Sequence, residues 1–318
     1  MSAVRPLSGT RIDLEHGSYR ASIAGLGASL RVLQFEGRDL VAPYGVNELR
    51  PGYSGATLAP WPNRVTDGRY RFAGTEQQLP LSEPARGHAL HGLALWLAFT
   101  VTERSVDAVT LTATVQAQAG YPHRLDLEVT YRLDDEGLHQ SVTATNAGDD
   151  AAPFGTGPHP YLVAGPGRVD DWVFELPASE VLTVTPDRLI PQGLASVDAV
   201  TDAAAGRAGT FDFREARAIA ATVIDHAFTG IARDGSGVAT VSLTAADGSG
   251  VAMRFDESCP WIQVCTADDP LDAEAHRRGL AVEPMTCPPD AFNSGTDLLV
   301  LDPGTSTTAS WSISALTS

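Results

Sequence analysis

Lysine is missing altogether: all 22 basic residues are arginine. That excludes a lysine Schiff base, an internal pyridoxal phosphate aldimine and the phosphate-cradling lysine of a P-loop. Positive charge is scarce as well. At a formal net charge of -17 the chain is not expected to bind nucleic acid or an anionic membrane, both of which need basic patches. Cysteine is rare. Cys259, Cys265 and Cys287 are odd in number and contain no C-x-x-C pair, which argues against a disulfide framework and against structural zinc. Reduced thiols suit a cytoplasmic protein. Long apolar runs are also lacking: nothing approaches transmembrane length, and Met1-Ser2-Ala3-Val4-Arg5-Pro6 has no apolar signal region. Chemistry must rest on His, Asp, Glu, Arg, Tyr, Ser or Cys.

Helical periodicity is scarce too. Only Asp272 to Arg278, before Gly279, reads as a short helix. Alternation takes its place. Val109, Leu111, Ala113 and Val115 alternate with polar or small residues, as do Leu125, Leu127, Val129, Tyr131 and Leu133. Asp134-Asp135-Glu136-Gly137 and Asp247-Gly248-Ser249-Gly250 are turn signals between such runs, and Ala309 to Ile313 reads as a closing strand. The expected fold is all-β, a large antiparallel β-sandwich with few short helices. With 43% hydrophobic residues and no change of character along the chain, residues 1–318 are expected to form a single domain. Pro191 to Gly209, rich in Ala, Asp and Gly, reads as a long surface loop.

Two stiff segments carry the chemistry. In Gly155-Thr156-Gly157-Pro158-His159-Pro160-Tyr161 a histidine stands between two prolines. Each proline fixes its own φ and biases the residue before it toward extended backbone. In Val282-Glu283-Pro284-Met285-Thr286-Cys287-Pro288-Pro289-Asp290 a carboxylate precedes one proline and a proline pair follows. A rigidly aimed imidazole and a rigidly aimed acid are what acid–base catalysis requires. The alternative is two rigid turns whose side chains merely pack. Three further places stand out: Asn63-Arg64 after Pro60-Trp61-Pro62, the histidine pair His88 and His91 between Gly87 and Gly92, and Asp225 in Ile224-Asp225-His226-Ala227-Phe228. The glycines argue that the two histidines lie in a loop, and no third ligand is near in sequence, so no metal site is expected.

Taken in order, Asn63-Arg64-Val65 with Asp67-Gly68-Arg69-Tyr70, Leu90-His91-Gly92, Gly157-Pro158-His159-Pro160-Tyr161, Asp225-His226-Ala227-Phe228 and Val282-Glu283-Pro284 ending in Asn293 resemble the aldose 1-epimerases, or galactose mutarotases. The resemblance spans nearly the whole chain. It implies a galactose mutarotase-like supersandwich that interconverts the α and β anomers of a free aldose without metal or organic cofactor. It matches the family's general base to Glu283 and its general acid to His159, and its sugar-holding residues to Arg64, His91 and Asp225. Asn63 and Tyr161 are expected beside them, and Trp61 and His88 either touch the sugar or belong to the core and a loop. Departures are Leu93 where the family often has a second glycine and Cys265 where an aromatic residue is frequent; both bear on which sugar is preferred. Related readings are a hexose-6-phosphate mutarotase, which would gather cations that this acidic chain is short of, and a carbohydrate-binding sandwich without catalysis. The expected partner is a small sugar, and the expected state a monomer or homodimer.

Overall fold

The computed structural model describes residues 6–202, 207–268 and 274–317. Alternation becomes strand almost everywhere. Along Leu125–Asp134 buried and solvent-facing positions alternate residue by residue, so one face packs and the other is wetted. This strand pairs antiparallel with Ala108–Val115 on one side and Gly137–Asn146 on the other. All three belong to a nine-stranded sheet. The closing segment forms the long strand Ser306–Leu316, which lies near the centre of that sheet between Gly137–Asn146 and Gly250–Phe255. The Asp247-Gly248-Ser249-Gly250 signal turns Ala239–Thr244 into Gly250–Phe255, and Asp247 Oδ1 accepts the Ser249 N–H at 2.9 Å.

A second sheet has six strands in the order Tyr161–Leu162, Leu280–Met285, Trp261–Cys265, Asp225–Ile231, Ala178–Val184 and Pro191–Ser196. A third sheet of four strands runs from Arg11 to Asp39. The main core joins all three: Val129 and Ile313 from the first, Ile262, Val282 and Phe228 from the second, Ile23 and Leu33 from the third. Buried polar atoms are tied across it. Tyr131 donates its hydroxyl to the Ala28 carbonyl at 2.7 Å, and Trp311 donates its indole N–H to Gln140 Oε1 at 2.9 Å. All pairings between named strands are antiparallel.

Two strands of the six-stranded sheet, Trp261–Cys265 and Leu280–Met285, are buried on both faces. Every residue of Leu280–Met285 is buried, and alternation sends Leu280 and Val282 to the main core. Ala281, Glu283 and Met285 therefore turn to the opposite face. There Met285 meets Trp261, Ala227 and Leu182 in a second, small apolar cluster. Register places Asp225 opposite Cys265 and Ala227 opposite Gln263, with Gln263 opposite Glu283 in turn. Polar side chains from three adjacent strands thus share this second face.

Three local expectations are corrected. Pro191–Ser196 is an edge strand on Ala178–Val184, mostly exposed, and Pro191 at its start is tolerated because an edge need not donate. Asp272 and Ala273 lie outside the described residues, and Glu274–Arg277 forms a turn rather than a helix. Arg277 has φ 52° and its N–H goes to the Ala267 carbonyl at 2.9 Å, which closes a loop. His88 stands in the short strand His88–Leu90, paired with Arg64–Thr66. Helix is confined, among the described residues, to Ala291–Ser294 and three single 3₁₀ turns, and no helix there is long and apolar enough to cross a membrane.

Candidate active site

The histidine segment is fixed by its backbone. Gly157–Pro158 pairs with Thr57–Leu58, the His159 N–H donates to the Ala56 carbonyl at 3.1 Å, and the His159 carbonyl accepts from Gly55 at 2.7 Å. The Pro160 carbonyl accepts from Val282 at 3.3 Å, and the Thr156 carbonyl accepts from Thr286 at 3.0 Å. The two proline-rich segments therefore run side by side. His159 Nε2 lies 3.5 Å from Glu283 Oε1, with the two side chains 7% and 2% exposed. Neither His159 Nδ1 nor Glu283 Oε2 has a protein partner, although both are buried.

Burial acts on the two in opposite directions, because it disfavours whichever form is charged. Burial, with the adjacent Asp225 charge, pushes the Glu283 carboxyl well above its ordinary range, and Arg64 opposes this. Burial, with Arg50 and Arg64 nearby, holds the His159 imidazole down at about 4. A carboxylate raised this way is a stronger proton acceptor, and an imidazolium lowered this way is a stronger donor.

Around the pair stand the residues singled out from the sequence. Arg64 donates to Glu83 from Nε at 2.8 Å and from Nη2 at 3.1 Å, and its Nη2 lies 3.5 Å from Asp225 Oδ2. Asp225 Oδ1 accepts from Gln263 Nε2 at 2.6 Å. Asn63 and His91 take left-handed backbone, with φ 54° and 64°, at a cost of about 1–2 kcal/mol each. Mutual bonds hold them there: His91 N–H to the Asn63 carbonyl at 2.8 Å, and Asn63 N–H to His91 Nδ1 at 3.2 Å. Because Nδ1 accepts, the ring proton sits on Nε2. Asn63 Oδ1 takes the Arg64 N–H at 2.9 Å, so this side chain positions the arginine's backbone. The His91 ring packs edge-on against His159 at 4.9 Å and against Tyr53 at 4.8 Å. Burial first, then His159 and the arginines, keeps His91 neutral, well below its ordinary value. Tyr161 donates its hydroxyl to the Gly52 carbonyl at 2.9 Å and sets its ring 5.2 Å from His159.

Two candidates stand apart. His88 is fully buried, its Nε2 2.8 Å from the Arg188 carbonyl and its Nδ1 3.4 Å from the Asp67 N–H. Both ring nitrogens are thus engaged in joining two loops, and among the described residues no group of three His, Cys, Asp or Glu side chains is placed to hold a metal ion. Trp61 is 3% exposed and packs on Phe292 and Tyr121 at 5.6 and 6.4 Å.

Residues 10–314 match the family model for aldose 1-epimerase. The chain belongs to the aldose 1-epimerase family. It is 38% identical over 299 residues to the uncharacterized protein YihR of Escherichia coli K12, covering 93% of this chain and 90% of YihR. It is 24% identical to the uncharacterized protein YphB of the same organism over 96% of this chain and 98% of YphB. Among solved structures it is similar to a GalM/aldose epimerase homologue from C. elegans, with TM-score 0.82 at 20% identity over 97% of this chain and 99% of that one. It is also similar to a galactose 1-epimerase from Lactobacillus acidophilus, with TM-score 0.77 at 19% identity over 96% and 95% of the two chains. At such identities these likenesses speak for the fold.

In this aldose 1-epimerase family member, three residues close to the pair escape a reading of the sequence. Glu83 carries a signal in retrospect: Glu83-Pro84 repeats the acid-before-proline pattern of Glu283-Pro284. Gln263 is the lone amide in the otherwise apolar strand Trp261–Cys265. Tyr53 sits in a three-residue 3₁₀ turn, and nothing in its sequence neighbourhood sets it apart.

Proposed function

We propose that the protein is a mutarotase that interconverts the α and β anomers of a free aldose. The observation that carries this reading is the buried contact of His159 Nε2 and Glu283 Oε1 at 3.5 Å, with the two groups pushed in opposite directions. Glu283 as carboxylate takes the O1 proton of the sugar while His159 gives one to the ring oxygen O5, and the C1–O5 bond breaks. The aldehyde rotates about C1–C2. Reclosure runs the same transfers backwards on the other face: His159 retrieves the O5 proton, O5 attacks C1, and Glu283 returns its proton to O1. No proton is gained or lost over the cycle, no covalent intermediate forms, and no cofactor is called for. Each positioned transfer is worth about 10²–10⁴-fold.

Arg64 and Asp225 offer a donor and an acceptor to sugar hydroxyls, and His91 offers its Nε2–H. Asn63 sets the backbone of Arg64, and the Tyr161 ring stands beside His159. We take residues 1–318 to act as one domain and, with three free thiols, to work in the reducing cytoplasm. A binding module without catalysis would have no use for a buried acid–base pair, whose desolvation is unfavourable. Polarimetry on freshly dissolved α-anomers of glucose, galactose and other aldoses tests the reading. A rate indistinguishable from spontaneous mutarotation on every sugar overturns it.

A further inference from the structure

Glu83 is far from the acid–base pair in sequence and sits one residue removed from it in space, behind Arg64. Its backbone is pinned, with its N–H on the His88 carbonyl at 3.0 Å and its carbonyl accepting from Gly87 at 2.8 Å. Its carboxylate, 12% exposed, faces three cationic donors: Arg64 Nε, Arg64 Nη2 and Arg86 Nη1 at 2.9 Å. Burial alone would raise this carboxyl, but the bonds from Arg64 and Arg86 outweigh it and hold Glu83 below the usual range. It remains an anion wherever the enzyme is folded near neutrality. A planar guanidinium gripped along its Nε–Nη2 edge has only its other end left to offer. Nη2 of the gripped edge also lies 3.5 Å from Asp225 Oδ2, and the other oxygen of Asp225 is tied to Gln263, the register partner of Glu283.

We propose that Glu83 is a positioning residue for the reaction: it orients the Arg64 guanidinium toward the sugar by a two-point grip and balances that arginine's charge beside the His159–Glu283 pair. The proposal rests on the mutarotase reading above. Two consequences follow, one geometric and one electrostatic. Without the grip Arg64 swings among rotamers and the sugar is held less well, which raises KM. Without the counter-charge a cation balanced by Asp225 alone stands next to the pair. Other groups facing the pair are Arg50, Tyr53, His91, Tyr161, Cys265 and Asp225, and none of them changes. An added positive field lowers the proton affinity of Glu283 and His159 alike, so both limbs of the pH–rate profile move to lower pH.

The test compares Glu83→Gln, Glu83→Asp and Arg86→Met in the full-length enzyme, with melting curves as the check on folding. Glu83→Gln keeps the shape and removes the charge; it is expected to lose about 10- to 100-fold in kcat/KM, the range typical of a mispositioned binding group, with both pH limbs displaced downward. Glu83→Asp keeps the charge on a shorter stem, so its limbs stay in place while KM rises. Arg86→Met, at a half-exposed site, leaves the Glu83 charge less compensated and moves the limbs slightly upward. Should Glu83→Gln fail to fold, the other two decide. A folded Glu83→Gln with unmoved limbs, or a Glu83→Asp with normal KM together with an Arg86→Met with unmoved limbs, overturns the proposal alone. A wild-type enzyme without mutarotase activity overturns the reading and the proposal together.

Discussion

Gln263 and Glu283 are direct partners across adjacent strands, yet no hydrogen bond joins their side chains. Gln263 gives its amide N–H to Asp225 at 2.6 Å. Its Oε1 and the Oε2 of Glu283 are both buried without a protein donor. Native proteins rarely leave buried polar groups in this condition, and a catalytic role is one of the recognised reasons. A sugar, which presents hydroxyl donors at neighbouring carbons, is suited to both.

Replacing Glu283 by Gln or His159 by Asn is expected to slow mutarotation by about 10²–10⁴-fold each, the usual worth of a positioned proton transfer. Glu283→Gln keeps size and shape and His159→Asn keeps a short polar side chain, so the far-ultraviolet dichroism stays that of the parent. Near-normal rates by polarimetry in both folded variants refute the assignment.

Glu283→Gln carries a second consequence, for stability. The Glu283 carboxyl is held above its unfolded value of 4.5 by burial. A raised acid contributes stability fully below the unfolded value and loses it as the pH climbs toward the folded one. Thermal midpoints of wild type and Glu283→Gln therefore coincide most nearly near pH 4 and diverge toward neutrality, with the inactive variant the more stable. A gap that is constant with pH, or that favours the wild type at neutral pH, counts against a buried, raised Glu283.

The pH–rate profile is expected to be a broad bell. On the acid side activity falls as the pair takes a second proton, which His159, held at about 4, resists until the solution is quite acidic. On the alkaline side it falls when the last proton leaves, above the ordinary carboxylate range. The two limbs belong to the coupled pair and not to either residue alone. A profile of kcat/KM from pH 3.5 to 9 that shows a single limb near 6.5, the mark of an unperturbed imidazole, contradicts this arrangement.

Much of this was legible in the sequence, and the physical reason differs between fold and site. Period-two alternation survives in the sequence because one face of each antiparallel strand is wet, as along Leu125–Asp134. Strands buried on both faces lose that mark. Leu280–Met285 reads as an apolar run broken by Glu283, and only register shows that Glu283 and Val282 face opposite sides. Prolines betrayed His159 and Glu283 because stiffness is written locally. Glu83 and Gln263 are hydrogen-bonded to partners 19 and 38 residues away, and such pairing is a property of topology. Edge strands are the hardest to read: Pro191–Ser196 needs little apolar content, since most of its side chains face water.

The two histidines three residues apart should separate by function. His88 joins the Arg188 carbonyl to the Asp67 amide, whereas His91 lies against His159. His88→Ala is expected to destabilise the protein by about 1–3 kcal/mol, the cost of leaving buried polar groups unpaired, and to leave kcat/KM within a few-fold while folded. His91→Ala is expected to do the reverse in emphasis, with the larger loss in kcat/KM. Denaturant unfolding and steady-state kinetics on both variants check this, and equal activity losses would place His88 in the site after all.

Gly157 is a close backbone approach between the two segments that carry the pair. A Cβ placed there would stand 2.5 Å from the Pro284 carbonyl oxygen, a distance no carbon–oxygen contact tolerates, and neither partner is a flexible side-chain tip. Prolines stiffen both sides, at Pro158, Pro160 and Pro284, so the strain cannot be relieved locally. The backbones must part, and His159 Nε2 and Glu283 Oε1 must part with them. Enzymes lose about 10²-fold for displacements near 1 Å. Gly157→Ala is therefore expected to lower kcat strongly while changing the sheet pairings little, since the nine-stranded sheet does not touch this contact. Mutarotation rates read beside melting curves decide it. A variant as active as the parent would show that the two segments can move apart without disturbing the chemistry, and that their close packing serves the fold alone.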